Sequence, residues 1–494
     1  MSPSARTPLM TGWESPRAST PALVVMTSPQ RVIPDAPRMT LGARPGHPPR
    51  RRGEVAPTSA SCPRRAGHGA LGCPSPKRRS CGRATGCQPG RAPSPTRYTH
   101  PVSSIDWPAR ARDLAPAFAD RAEQHDREGS FPFDNFADLR AAGFYGLTVP
   151  GRFGGAEASL GTYLAVLEQI ARADGSTALA FMMHLKTFGQ ERESPSYPPE
   201  WFERMCTGAV QHGQLVNTVA TEEGLGSPAG GGLPDTTAIP DDGGWRLSGR
   251  KSFATLAPLL HHLIVLARLP TPDGQPPELA NFMVLRTDPG LSIDETWDSL
   301  SMRSTGSHDV VLDDIHLTPD RLLNRRALGQ GDARGSAGMA WFALGLCATT
   351  IGVASAARDY AVAYARERTP NSNRTIKEYP GVRSRIARID LLVHRSRALM
   401  DDASRAWEHR PQHGPPAIDR IVMAKIDTMN NCIEAVDLAM RVVGGVSLQK
   451  RRPIERYYRD VRAALHNPPL EDRALDQLAR TALDEPYEPP KAAE

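Results

Sequence analysis

The sequence contains few cysteines, and their spacing excludes the metal site that paired cysteines most often indicate. Four of the seven lie in the first 100 residues, at intervals that match no paired C-x-x-C zinc pattern: Cys62, Cys73, Cys81 and Cys87. The other three, Cys206, Cys347 and Cys432, are scattered, as expected for a reduced cytosolic enzyme. Histidines and carboxylates also lack metal-ligand spacing, so we expect no metal centre.

Long hydrophobic runs are missing as well. No stretch approaches the roughly 20 apolar residues that a membrane span needs. The longest apolar run near the N-terminus, Ala22 to Met26, is too short for the core of a signal peptide. The Arg-Arg pairs at 51–52, 64–65 and 78–79 lack such a core too. We therefore expect a cytoplasmic protein that is neither exported nor inserted in a membrane.

Charge divides the chain into two unequal parts. Residues 1–100 hold 15 arginines and one lysine against three acids, a net charge of +13, together with 17 of the 46 prolines. The remaining 394 residues hold 44 basic and 51 acidic side chains, a net charge of −7, which argues against a nucleic-acid-binding protein. We interpret residues 1–101 as a disordered Arg/Pro-rich tail, or as a misassigned start that precedes a body beginning near Val102.

The body has an α, β, α order, which suggests three layers and an α+β fold rather than a doubly wound sheet. Residues 102–215 are predicted to be a helical domain, and residues 216–325 a small β-barrel or sandwich. Residues 326–494 are predicted to be a C-terminal four-helix bundle. The helical prediction rests on apolar positions at 3–4-residue spacing, such as Tyr163, Leu167 and Ile170.

Within these parts the predicted elements are short strands and long helices. Four strands are predicted: Trp245–Leu247, Leu263–Leu269, Phe282–Leu285 and Val310–Leu317. Dense glycine and proline indicate turns from Gly224 to Gly244. The C-terminal helices are predicted at 336–368, 380–409, 416–443 and 470–484.

Two motifs that would indicate other chemistry are excluded. Gly244 to Ser252 looks like a phosphate-binding loop with one extra residue, but such a loop must be followed by a helix. Here Trp245, Leu247 and Gly249 alternate as in a strand, and Phe253 to Thr255 is predicted to continue that strand. No G-x-S-x-G sequence is present, so the nucleophile elbow of an α/β-hydrolase is excluded.

Five segments, in order and at the right spacing, together resemble the acyl-CoA dehydrogenase superfamily of flavoproteins over nearly all of residues 102–485. They are Phe131 to Gly155, Ala220 to Ser227, Trp245 to Thr255, Met302 to Pro319, and Val442 to Gly445 with Arg459-Asp460. Some likeness to the flavin-dependent monooxygenases on this fold is also present. The resemblance implies an oligomer, a homodimer or homotetramer, with FAD bound between subunits.

The resemblance also implies positions for the cofactor. Phe253 matches the aromatic neighbour of the flavin and Thr255 the hydroxyl at its reactive edge, while Thr221 and Ser227 match the loop at the pyrimidine edge and pyrophosphate. A second set, Arg368, Gly444 and Gly445, matches positions for the pyrophosphate and adenine. Ordinary roles stay open for all of them: a core aromatic, a strand residue, turn formers, a solvated helix-end arginine and a helix end.

The catalytic base of the family is missing from its usual places. The glutamate expected a few residues after Arg459-Asp460 falls on Pro468. The alternative position aligns near Phe342, and Gly338 to Arg358 contains no acid. We therefore name two candidates, Glu471 after a small local shift, with Asp472 beside it, and His466, which sits where related monooxygenases carry a functional histidine. An ordinary surface role stays open for each.

The leading interpretation is α,β-dehydrogenation of an acyl-CoA or acyl carrier protein thioester, with electrons passed to an electron-transferring flavoprotein. Lys251 and the Thr-Glu-Glu-Gly loop favour it. The alternative is a flavin-dependent monooxygenase that uses O2 and reduced flavin, FMN or FAD, from a flavin reductase; the lost glutamate and His466 favour this one. A non-catalytic flavin-binding homologue is the third interpretation. No nucleic-acid partner is expected.

Overall fold

The computed structural model describes residues 105–224, 232–272, 274–330, 335–371, 373–410 and 416–484. The predicted tail, 1–101, lies outside this range. The first described part is helical, and its helices, α1 to α5, are Trp107–Glu128, Phe133–Ala141, Leu160–Ala173, Gly175–Glu193 and Pro199–Thr207. Helix α1 begins after Asp106, because the Asp106 carboxylate accepts a hydrogen bond from the Ala109 N–H at 2.9 Å and Pro108 is compatible with the first turn.

The middle part is one sheet of eight strands, β1 to β8. They are Leu215–Val219, Thr237–Asp241, Gly244–Lys251, Leu260–Leu269, Glu278–Leu285, Leu291–Asp294, Asp309–Leu317 and Leu322–Ala327. The strand order is β6-β7-β3-β2-β4-β5-β8, with β1 paired to β4. Neighbours are antiparallel except where β4 meets β1 and β2.

The four predicted strands are confirmed as parts of β3, β4, β5 and β7, and four more strands were not predicted. The missed strands β1, β2, β6 and β8 are only four to six residues long, so their pairing partners decide their conformation more than their own sequence does. The prediction of turns throughout 224–244 was therefore wrong for β2. Its Pro240 is tolerated because that end of β2 pairs with β3 alone.

The prediction that strand β3 continues through Thr255 was also wrong. The strand ends at Lys251, and the backbone then enters the left-handed region at Phe253, with φ of 53°, and again at Leu256, with φ of 71°. No α-helix begins at Ser252, and the chain passes through a short 3-10 turn, Ala257–Leu259, into β4, which agrees with the exclusion of a phosphate-binding loop.

The last part is helical again, as predicted. Helices α6 to α10 are Gly335–Glu367, Pro380–Glu408, Pro416–Val443, Pro453–Asp460 and Glu471–Leu483. Helix α6 is long and apolar enough to cross a membrane, but 83% of its most apolar window is buried inside the fold, as in a core helix. One cluster of buried apolar side chains runs from Phe118 in α1 through Val265 in β4 to Ile421 in α8.

A partly buried carboxylate joins three of these helices. Glu193 at the end of α4 accepts hydrogen bonds from the indole N–H of Trp341 in α6, at 2.9 Å, and of Trp407 in α7, at 2.8 Å. The Arg410 guanidinium pairs with the same carboxylate at 2.8 Å and lies over the Trp407 ring. This junction fixes the N-terminal helices against the C-terminal ones.

Candidate functional site

The left-handed turn after β3 assembles the first group of predicted residues. Strand β3 is paired with β7 as far as Lys251, and the next N–H, of Ser252, donates to the Thr221 carbonyl at 2.9 Å. The end of β3 is thereby held beside the loop that follows β1. Thr221, Phe253 and Thr255, three of the predicted cofactor residues, consequently lie close together.

Phe253 is an aromatic side chain that the fold leaves open. Its ring is 62% exposed and meets Trp297 edge-on, with the ring centroids 5.6 Å apart. A left-handed conformation at a non-glycine residue costs on the order of 1–3 kcal/mol, and such strain concentrates at functional sites. An exposed aromatic face on a strained turn is therefore suited to covering a flat ligand.

Thr255 lies next to Phe253 but is buried, with 8% exposure. Its hydroxyl is 2.9 Å from the Ser307 hydroxyl, and its carbonyl accepts from Asn217 Nδ2 at 2.9 Å. Among the described residues, the buried Asn217 Oδ1 and Ser252 Oγ have no hydrogen-bond partner. Unpartnered buried polar atoms are uncommon and call for an explanation. A ligand with an aromatic face and a polar edge, such as a flavin, fits this surface.

A buried ion pair lies directly behind this surface. Lys251 Nζ is 2.6 Å from Glu222 Oε1, and the two side chains are 0% and 3% exposed. Burial alone would raise the pKa of Glu222, but hydrogen bonds, above all from Lys251, lower it below its ordinary value. The pair joins the loop after β1 to the end of β3. Both residues belonged to the recognised motifs, yet their sequence neighbours carried no signal that they would pair.

A cavity of about 400 Å³ in the described part of the chain adjoins the ion pair and is lined by Glu222, Glu223, Gly224, Asp235, Arg250, Ser252 and Asp309. Another, of about 990 Å³, lies among the N-terminal helices and is lined by Trp107, Arg140 and Tyr145, among others. The second contains none of the predicted site residues, so the smaller cavity is the one next to the candidate site.

The second group of predicted cofactor residues lies on the C-terminal helices. Arg368 follows the end of α6 and is exposed. Gly444 and Gly445 follow α8 and are also exposed; Gly444 is left-handed, with φ of 77°, and a Cβ at either position would meet nothing within 4 Å. Within the described ranges, no hydrogen bond or ion pair joins these residues to Thr255. Ser227 lies outside the described residues.

The two candidate bases are both on the surface. His466 ends a short turn, Ala463–His466, and its side chain is exposed. Glu471 is the first residue of α10, and its Oε1 accepts from Asn430 Nδ2 of α8 at 3.1 Å. No described hydrogen bond connects either of them to the Thr255 surface. Near the alternative base position, the Phe342 ring faces the ammonium of the buried Lys186 at 5.7 Å.

A buried acid that received no role from the sequence also lies near the site. Asp460 Oδ1 accepts from the Met302 N–H at 2.7 Å, and burial raises the pKa of Asp460 to about 7. Its neighbour Arg459 pairs instead with Asp126 of α1 and with Glu455. The Arg-Asp motif therefore joins the C-terminal helices to the 297–308 loop and to α1, which spacing in the sequence could not reveal.

Comparison with known proteins agrees with this arrangement. Models of the acyl-CoA dehydrogenase N-terminal, middle and C-terminal domains match residues 109–207, 217–315 and 344–467. YdbM of Bacillus subtilis, whose name assigns it provisionally to the acyl-CoA dehydrogenases, is 38% identical over 379 residues, 76% of this chain and 97% of YdbM.

Other relatives carry a different activity in their names. The amino sugar nitrososynthase DnmZ of Streptomyces peucetius is 31% identical over 388 residues, 74% of this chain and 90% of DnmZ. The structure of KijD3 in complex with FMN and a dTDP-linked amino sugar is 30% identical, with a TM-score of 0.70, and covers 78% of this chain and 95% of KijD3. From the matched domains, the extent of these similarities and the shared fold, we conclude that the chain belongs to the acyl-CoA dehydrogenase family of flavoenzymes.

Proposed function

We propose that the chain is a flavin-dependent oxidoreductase that dehydrogenates an acyl thioester between its α and β carbons. The observation that carries the proposal is the surface formed by Phe253, Thr255 and Asn217, where an exposed aromatic ring adjoins buried polar atoms without partners. The 38% identity to YdbM over nearly its full length favours this chemistry over that of the nitrososynthases, at about 31%.

The chain's own residues would bind and orient the cofactor at this surface. Phe253 would cover one ring face, and the Thr255 hydroxyl would meet the reactive edge. Asn217 Oδ1 can only accept, whereas Ser252 Oγ can donate or accept, so together they suit a polar ring edge. When bound, a flavin would supply the hydride acceptor.

Glu471 is the proposed base, which would take the α proton of the thioester. It is the first residue of α10, and a carboxylate is a side chain that can act as a general base. Asn430 fixes one of its oxygens. His466, five residues earlier, is the alternative base. Both side chains are exposed to solvent in the absence of substrate.

The proposed partners follow from the same assignment. The substrate would be an acyl-CoA or acyl carrier protein thioester, and electrons would leave through an electron-transferring flavoprotein. Because Arg368, Gly444 and Gly445 are exposed and not joined to Thr255 by described contacts, they would meet the pyrophosphate and adenine of FAD held by a neighbouring subunit. This assignment requires a homodimer or homotetramer.

A second function, a flavin-dependent monooxygenase, is favoured by one specific observation. The usual base position is Pro468, and the first half of α6 carries no acid from Gly338 to Arg358. The nitrososynthase relative DnmZ and the FMN bound to KijD3 also favour an activity other than thioester dehydrogenation. Such an enzyme would use reduced FMN or FAD from a flavin reductase together with O2, and it would not need Arg368 or the two glycines if the cofactor were FMN.

The deciding experiment uses the full chain, loaded separately with FAD and FMN and mixed anaerobically with a panel of acyl-CoAs. Bleaching of the oxidised flavin absorbance by a thioester supports the dehydrogenase. Glu471→Gln is expected to slow that bleaching at least 100-fold, with Asp472→Asn as the matched control and His466→Asn testing the alternative base.

The opposite result has a different signature. If no thioester bleaches either loaded form, and the protein consumes oxygen only when reduced flavin is supplied, the dehydrogenase proposal is wrong and the monooxygenase replaces it. Binding of flavin with neither reaction would leave the non-catalytic homologue. Dependence on FAD rather than FMN, lost in Arg368→Ala, would support the inter-subunit site.

A further inference from the structure

The Thr255 hydroxyl belongs to a chain of three buried hydroxyls that leads away from the proposed flavin edge. Thr255 Oγ1 lies 2.9 Å from Ser307 Oγ, which lies 2.7 Å from Thr305 Oγ1. Thr305 Oγ1 in turn donates to the Met302 carbonyl at 3.0 Å. The three residues are 8%, 5% and 0% exposed, so water has little access to them.

The end of this chain is fixed by the backbone around Met302. A carbonyl oxygen can only accept a hydrogen bond, and the Met302 carbonyl accepts from Thr305 Oγ1 and the Trp297 indole N–H, each at 3.0 Å, and from the Thr305 N–H at 3.2 Å. The Met302 N–H is held by Asp460 at 2.7 Å, and its backbone is left-handed, with φ of 52°. The orientation of this peptide is therefore set from both sides.

Counting protons then gives the chain one direction. Each hydroxyl has a single proton, and there are three contacts to fill. The Thr305 hydroxyl donates its proton to the Met302 carbonyl. Ser307 must therefore donate to Thr305, and Thr255 must donate to Ser307. The Thr255 oxygen is left with lone pairs only, and toward a ligand it acts as an acceptor.

We propose that Thr305 and Ser307 are positioning residues that make Thr255 a hydrogen-bond acceptor, so that the site binds reduced flavin more tightly than oxidised flavin. N5 of a reduced flavin carries a hydrogen and can donate to Thr255, whereas N5 of an oxidised flavin offers only a lone pair. The inference rests on the proposed function, because it requires a flavin with its reactive edge at Thr255.

The test compares the dissociation constants of oxidised FAD and of dithionite-reduced FAD under anaerobic conditions, for the full chain and two variants. Thr305→Val removes the link to the Met302 carbonyl, and Ser307→Ala removes the acceptor of Thr255; either change frees the Thr255 proton to serve the oxidised flavin. Because one hydrogen bond contributes about 1 kcal/mol net, we expect the preference for reduced flavin to fall roughly fivefold. That corresponds to a two-electron midpoint potential lower by about 20 mV.

Two further variants separate orientation from packing. Ser307→Thr keeps the hydroxyl and should retain the parent preference. Ser304→Ala removes a buried hydroxyl from the same loop that is not part of the chain and should also leave the preference unchanged. If Thr305→Val does not fold, Ser307→Ala decides alone.

The outcomes distinguish failure of the hydroxyl-chain inference from failure of the proposed function. An unchanged ratio of the two dissociation constants in folded Thr305→Val or Ser307→Ala overturns the inference while the flavin site stands. A parent protein that binds neither form of flavin overturns the proposed function, and the inference with it. A roughly fivefold fall in both variants, absent in Ser307→Thr, supports the hydroxyl chain.

Discussion

The two groups of candidate site residues differ in how firmly contacts within this chain hold them in place. One group, which we call the β3 group, consists of Thr221, Phe253 and Thr255. It is held by backbone pairing, by the Lys251–Glu222 ion pair and by the hydroxyl chain. The C-terminal group, which includes Arg368 and Glu471, is exposed and only lightly held. We call the β3 group the preformed half of the candidate site and the C-terminal group its open half. Such a division suits a cofactor site that substrate and a second subunit would complete.

The largest expected effect on the free energy of unfolding comes from breaking the ion pair behind the β3 group. Lys251→Met leaves the buried Glu222 carboxylate without its counter-ion, which should lower the free energy of unfolding by about 3–5 kcal/mol. Urea unfolding followed by circular dichroism measures this. Flavin binding should be lost in parallel, because the ion pair holds the Thr221 loop against β3.

A neighbouring arginine provides the control for that change. Arg250 is on the same strand, but its side chain and that of its partner Asp294 are about half exposed and its other partner, Asp309, is only partly buried, so Arg250→Gln should leave the unfolding midpoint almost unchanged. Replacing both partners of the buried pair, as Lys251→Met with Glu222→Leu, should recover much of the lost stability. Equal destabilisation by the Lys251 and Arg250 variants would contradict the importance given to burial.

The second-largest expected effect on stability concerns Asp460, which joins the C-terminal helices to the 297–308 loop. Burial raises its pKa to about 7, and Arg456, Arg459 and Asp126 are the charged groups around it. The folded state therefore holds the proton more tightly than the unfolded state, so this group's contribution to stability is fully present below about pH 4. It is lost as the pH rises through 7, by up to about 1.4 kcal/mol per unit.

Asp460→Asn should remove that dependence while its amide oxygen still accepts from the Met302 N–H. The measurement is the free energy of unfolding of both proteins at pH 5, 6, 7 and 8, with the difference between them plotted against pH. Parallel curves would mean that Asp460 does not bind a proton in this range. The two curves should lie closest at pH 5 and separate as the pH rises toward 7. Curves that instead approach each other as the pH rises would mean that the folded state favours the charged carboxylate, which would contradict this prediction.

The difference between the halves also explains what the sequence could predict. Long helices with regular apolar spacing were predicted almost to the residue, since α6 at Gly335–Glu367 and α8 at Pro416–Val443 depend on local pattern. Strand β2 and the turn at Phe253 were not, because distant partners determine them. Residues of the β3 group were predicted from the order of the motifs, whereas the Lys251–Glu222 pair and the Met302–Asp460 contact are visible only in the folded chain.

The smallest expected effect on stability separates binding from folding at Phe253. Its ring is exposed and its backbone is left-handed, so Phe253→Gly relieves strain at the cost of little buried surface and should raise the free energy of unfolding by about 1 kcal/mol. Loss of the aromatic cover should nevertheless weaken flavin binding at least tenfold. Arg368→Ala, in the exposed half, should change flavin binding without changing stability at all. A Phe253→Gly protein that is less stable than the parent would mean that the ring supports the fold, and the assignment of Phe253 to a ligand would lose its physical basis.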